Sequence, residues 1–266
     1  MPQSRIATAM RGERASRNAT PGLARALSLA TVMLAATLVL PTAVLASGLT
    51  AVSLPATPTP LPVTMARTYG AQQMVVATGV RLGSTDGALH VFNLVGGSWV
   101  ETLTVPAKFG KKGLIDGLRR KEGSNTTPTG IWRMPGNVFG THSAAPAGTL
   151  MGYRRIDSRS WWSSRRGKTY NAWVEARTWQ GERLANSASA YEFAVSTGYN
   201  ARPNRCIYGR GTAIFLHVSR GRLTAGCVAI SRPDMIRVCR LLDPSRHPVF
   251  AIGTLQHGKA TSIWAY

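Results

Sequence analysis

A cysteine and a histidine ten positions apart, Cys227 and His217, are the residues best suited to covalent chemistry. Cys227 lies in Thr224-Ala225-Gly226-Cys227-Val228-Ala229-Ile230, where a turn of small residues runs straight into an apolar stretch. Small side chains let a carbonyl carbon approach the sulfur and leave backbone N–H groups open to the oxyanion that forms on attack. Thr224, Ala225 and Gly226 are therefore the expected oxyanion and substrate-binding positions. A free thiol ionises at about pH 8.5, so at neutrality it needs a base or a cation beside it. His217 closes the apolar run from Ala213 to Val218, and burial of that strand would fix the imidazole. Adjacent strands joined by the loop Ser219 to Ala225 would set the two side chains together at their facing ends. Such a pair is suited to acyl transfer through a thioester. His90, His142, His247 and His257 lie in contexts that read as structural or solvated.

Short β-branched and apolar runs supply the elements that must hold this pair. They fall at Gln73–Thr78, Leu89–Leu94, Trp99–Val105, Gly130–Met134, Glu192–Thr197, Ala213–Val218, Cys227–Ile230 and Pro248–Ile252, with Gly, Pro and Asn between them. Val95-Gly96-Gly97-Ser98 joins two of them as a hairpin signal. One helix is marked by the capping pair Ser231 and Asp234, with Met235, Val238, Cys239 and Leu242 on one face and Asp243-Pro244 as its stop. The reading is mainly β with one or two short helices. Between Tyr153 and Trp179 lie Trp161, Trp162, Tyr170, Trp173 and Trp179, too aromatic for a plain linker and better read as packing than as a substrate wall.

The termini divide the chain further. Five arginines up to Arg25 precede an apolar stretch from Ala26 to Leu40, and Val44-Leu45-Ala46 offers a cleavage site. Residues 1–46 thus read as an export signal, or as a membrane anchor if uncleaved. Residues 47–69, rich in Pro, Thr and Ala, read as an extended tether, residues 70–254 as the catalytic domain and residues 255–266 as a tail. The formal net charge is +21 and stays strongly positive without the leader. No zinc-finger spacing, Lys-rich tail or aromatic-basic signature accompanies it, which argues against nucleic acid. In the periplasm or cell wall, the abundant anionic partner is the wall surface itself.

The stretch Ala213 to Ile230 resembles the active-site segment of the L,D-transpeptidase catalytic domain (YkuD-type), in which a strand histidine is followed by a Ser/Thr-x-Gly-Cys turn. Lys121-Glu122-Gly123, Thr127-Pro128-Thr129-Gly130 and Gly198-Tyr199-Asn200 agree with it, the last in the manner of the short-loop branch. The resemblance spans roughly Gln73 to Gly253. It implies a β-sandwich, Cys227 as nucleophile, His217 as base, peptidoglycan stem peptides as substrate, acylation by carbapenems, and neither metal nor cofactor. Two family side chains are absent: Ala225 stands where a second histidine is common, and Ala229 where an Arg or Asn is. Arg202, Arg205, Arg210, Arg220 and Arg222 flank the motif as possible replacements for the carboxylate anchor. Hydrolysis of the stem in place of cross-linking, and a non-catalytic basic wall-binding module, are the competing functions. Cys206 and Cys239 stand open between a disulfide and two free thiols.

Overall fold

The computed structural model describes residues 62–255. The expected export signal, most of the tether and residues 256–266 lie outside them. In chain order the elements are α1 (Val63–Thr68), β1 (Gln73–Gly79), β2 (Asp86–Val95), β3 (Ser98–Lys108), β4 (Leu114–Asp116), β5 (Thr127–Arg133), β6 (Asn137–Gly140) and β7 (Gly152–Arg155). There follow β8 (Ser160–Ser163), β9 (Trp173–Glu175), β10 (Gly181–Arg183), β11 (Ala194–Ser196), β12 (Phe215–Val218), β13 (Val228–Ile230), α2 (Arg232–Leu241) and β14 (Val249–Thr254). The protein is mainly β, as its runs of β-branched residues dictate.

Eleven strands form one ladder in the order β4-β5-β14-β1-β2-β3-β13-β12-β11-β6-β7, and β10-β8-β9 form a second, small sheet. The central strand β1 is buried along its whole length, so it carries a continuous apolar run instead of an alternating one. β2 and β3 meet through Gly96 and Gly97, both at positive φ, which is the backbone a two-residue hairpin requires.

The large ladder is a sandwich because its two halves share a core. Val75, Leu89, Val91, Leu103, Phe250 and Ile252 from one half pack with Val138, Val195, Leu216, Val218, Val228 and Ile230 from the other. β3 links the halves, pairing with β2 on one side and through Lys108 with Ala229 of β13 on the other. α2 sends Met235, Val238 and Cys239 into this core, and its C-cap residue Leu242 follows them. Its start is set as expected, with the Ser231 hydroxyl accepting from the Asp234 N–H.

Two outer cores flank the sandwich. On one side Ala66 of α1 packs with Met74, Val76, Phe92, Ile131, Val249 and Ala251. The segment read as tether therefore ends in a helix at Val63–Thr68, ordered because Ala66 is fully buried against β1 and β14. On the other side the small sheet covers β11 and β12, burying Trp162, Leu184, Tyr191, Phe139, Phe215 and Cys227. The aromatic middle segment is thus β-structure that the sequence left unassigned. Its strands are three or four residues long, too short to show periodicity.

Met235 is fully buried where α2 backs onto β12 and β13. Met235→Ala should lower unfolding free energy by about 2–5 kcal/mol in chemical denaturation, without removing any group that lines the cavity described next.

Candidate active site

β12 and β13 are parallel neighbours, with Leu216 opposite Val228, His217 opposite Ala229 and Val218 opposite Ile230. Because the chain crosses back instead of turning, Cys227 lies level with Phe215 at the beginning of β12, not at the facing end expected from the loop. Strand side chains alternate between faces. Leu216, Val218, Val228 and Ile230 point into the sandwich, which leaves Phe215, His217 and Cys227 together on the face beneath the small sheet. The sequence-expected pair is therefore brought to one place, and both residues line a single cavity of about 530 Å³.

The sulfur is firmly placed. Cys227 Sγ accepts from the Phe215 N–H at 3.4 Å and donates to the Ala213 carbonyl at 3.3 Å. Ala213 has φ of 56° and is held there by Asn171, whose Oδ1 accepts from the Ala213 N–H at 3.0 Å and from Trp162 Nε1 at 2.6 Å. The imidazole is fixed too. His217 Nδ1 lies 2.9 Å from the Val218 carbonyl, which only accepts, so Nδ1 carries the proton and Nε2 presents a lone pair. The Tyr191 ring stands edge-on to it at 5.6 Å.

Burial decides the protonation states. It pushes the Cys227 thiol up to about 12, against the pull of the Phe215 N–H, with the Glu182 charge adding to the rise and Arg120 opposing it. Burial likewise lowers the His217 pKa, with the Val218 carbonyl opposing. At neutral pH the pair is thiol and neutral imidazole, not thiolate and imidazolium.

The turn before Cys227 is locked by Thr224. Its hydroxyl donates to the Cys227 carbonyl at 2.7 Å and accepts from the Gly226 N–H at 3.0 Å, while its own N–H donates to Phe109. Thr127 adds a second donor to the Cys227 carbonyl at 3.3 Å. Gly226 has φ of 142°, and a Cβ there would sit 2.8 Å from the Thr126 carbonyl, so no other residue fits this turn. Thr224 and Ala225 line the cavity, whereas the Gly226 N–H is committed to Thr224.

Arg120 is the residue that local sequence reasoning missed. It is only 4% exposed and, among the described residues, meets no carboxylate: Nε donates to the Thr126 carbonyl at 2.9 Å and Nη1 to that of Arg210 at 2.8 Å. The Tyr199 ring packs against the guanidinium at 5.5 Å. Gly211 makes room for it, since a Cβ there would come within 1.7 Å of Nη1. Nη2 lies beside the Gly226 turn, and Arg120 lines the cavity. Among the five flanking arginines, Arg220 and Arg222 also line it. Arg205 and Arg210 line a separate cavity of about 260 Å³, and Arg202 donates to the Lys168 carbonyl. The only hint of Arg120 in the sequence is its place beside Lys121-Glu122-Gly123.

All three cysteines are free. Cys239 is fully buried in the sandwich core, and Cys206 donates to the Tyr170 carbonyl at 3.8 Å. Among the other histidines, buried His90 of β2 pairs with Glu101 of β3, exposed His142 pairs with half-buried Glu192 outside the strands, and His247 caps a turn. His257 lies outside the described residues.

Thr224→Val should leave the fold intact but cost about 1–3 kcal/mol of stability, because the buried Cys227 carbonyl loses its shorter donor and the Gly226 N–H its acceptor. Denaturant titration together with the rate of thiol labelling at Cys227 would measure both effects; an unchanged rate with unchanged stability would remove the locking role.

No curated protein matches the chain. The family model of the L,D-transpeptidase catalytic domain (YkuD) matches residues 71–250, a span that runs from β1 to β14 and includes both Cys227 and His217. The chain belongs to the L,D-transpeptidase catalytic-domain family, whose activity is directed at peptidoglycan.

Proposed function

We propose that the protein carries out acyl transfer on peptidoglycan stem peptides through a thioester on Cys227, with His217 as its base. The observation that carries this reading is that both side chains, on one sheet face, line the same cavity of about 530 Å³, with the imidazole turned so that Nε2 is unprotonated. His217 Nε2 takes the thiol proton as the sulfur attacks a stem carbonyl, so the thiolate exists only as the new bond forms. The N–H groups of Ala225 and Cys227 hold the oxyanion. The imidazolium then protonates the leaving amine, a D-alanine or its equivalent. An amine from a second stem, or water, releases the acyl group and restores the thiol.

Arg120 supports recognition of the donor. A buried guanidinium without a carboxylate is costly unless an anion completes it, and a leaving residue with a free carboxylate would do so beside the Gly226 turn. Ala229 removes the side chain common in the family, and Arg120 takes over its task from another strand connection. The basic leader and apolar stretch support export, and the net charge of +21 supports attraction to anionic wall polymers.

Cys227→Ala should abolish both the covalent carbapenem adduct and the altered stem fragments, read by mass spectrometry; persistence of either would remove Cys227 as nucleophile, since Cys239 is sealed in the core. The acylation rate should rise with pH through a limb centred below the ordinary histidine value of 6.5, because burial lowers the His217 pKa and the neutral ring is the active form. Above that limb the rate should stay flat, with no second rise near the free-thiol value of about 8.5. A limb at the free-thiol value in stopped-flow acylation would contradict the neutral pair. Arg120→Gln should lower kcat/KM about 10–100-fold for a donor with a free terminal carboxylate and far less for the same donor ending in an amide. Equal losses on the two donors would reduce Arg120 to a structural role.

A further inference from the structure

The cavity contains two carboxylates. Glu122, from the same β4–β5 connection as Arg120, accepts from the Tyr170 hydroxyl at 3.4 Å. Glu182 enters from β10 of the small sheet and accepts from the Tyr191 hydroxyl at 2.6 Å. Tyr191 in turn places its ring edge against the His217 imidazole. The Glu182 carboxylate is thus held one aromatic ring away from the base, close enough for its charge to be felt at Cys227.

Both carboxylates are held by phenols, and Glu182 is the one whose phenol also touches the His217 ring. There are 32 basic residues against 11 acidic ones, and Lys111, Arg120, Arg220 and Arg222 line the same cavity, yet its partner is a neutral phenol. Burial raises the Glu182 pKa, the mark of a carboxylate short of a positive partner. In the acylation half of the reaction this group is a hindrance, because its charge disfavours a thiolate at Cys227. A cation arriving later would relieve it. The second half-reaction consumes one, since a primary side-chain amine is an ammonium at neutral pH.

We propose that Glu182, held by Tyr191, is the acceptor subsite: it binds the ammonium of the incoming primary amine and takes its first proton. This deepens the thioester reading of Cys227 and rests on it. The ammonium passes one proton to the Glu182 carboxylate and its nitrogen lone pair attacks the thioester carbonyl. The C–S bond breaks as the tetrahedral adduct collapses, the second nitrogen proton passes to His217 Nε2 and on to the Cys227 sulfur, and Glu182 returns its proton to solvent. An amide and the free thiol remain. Water needs no such counter-charge, so the carboxylate favours cross-linking over hydrolysis.

Glu182→Gln separates these roles, because the amide oxygen still accepts from Tyr191 and only the charge is lost. The full-length protein is acylated with a stem peptide, the adduct at Cys227 is followed by mass spectrometry, and its release is partitioned among water, neutral hydroxylamine and a stem peptide with a free side-chain amine. Acylation should be as fast as in wild type or faster, since the charge that opposes it is gone, while the share of adduct released to the amine stem, relative to water and hydroxylamine, falls about tenfold or more, the scale of one charge-assisted hydrogen bond. An unchanged ratio of amine to hydroxylamine product overturns the proposal, as does a wild type that acylates but only hydrolyses in the presence of the amine stem. Failure of wild-type Cys227 to acylate overturns the thioester reading instead. If Glu182→Gln does not acylate, Glu182→Asp keeps the charge on a shorter stem: a raised KM for the amine with unchanged hydrolysis supports the subsite, and an unchanged KM overturns it.

Discussion

The parallel pairing of β12 with β13 is the constraint on which the rest of the site depends. It sets His217 opposite Ala229, and strand alternation then puts Phe215, His217 and Cys227 on one face and Leu216, Val218, Val228 and Ile230 on the other. A register shift of one residue would send the imidazole into the sandwich core and bring an apolar side chain to the cavity. The core that fixes this register is assembled from both halves of the ladder and from α2, so the catalytic spacing is enforced by packing contributed along nearly the whole described chain.

Around the pair the electrostatics are asymmetric. Cations reach the cavity from the connections before β5 and before β13, while Glu182 comes from the small sheet. Arg120 and Glu182 act on the Cys227 thiol in opposite senses, and burial outweighs both. The small sheet therefore has two tasks. Trp162 seals the aromatic core against Phe215 and Phe139, and β10 with the turn after it brings Glu182 and Tyr191 to the histidine.

The turn before Cys227 and the place of His217 were legible in the sequence because each announces itself locally: a small-residue turn before a cysteine, and a histidine at the end of an apolar run. The longer strands and α2 were legible for the same reason, through periodicity and capping, whereas α1, β4 and the short strands β6 to β10 were not. The direction of the β12–β13 connection was not. Parallel neighbours ordinarily need a connection of about a dozen residues or more. Here the strands have four and three residues, so the return path is only roughly 10–13 Å at 3.3 Å per residue, and a short loop suffices. Arg120 was invisible among 32 basic residues because what distinguishes it is burial against Arg210 and Gly211, some ninety positions away. Glu182 and Tyr191 likewise acquire meaning only when the aromatic middle segment folds over β12.

Sulfur reacts with peroxides chiefly as thiolate. Cys227 is kept protonated by its own surroundings, with its hydrogen given to Ala213, so in the resting protein it offers oxidants almost none of the vulnerable species. The same burial that withholds the reactive anion therefore also shields the sulfur from oxidation.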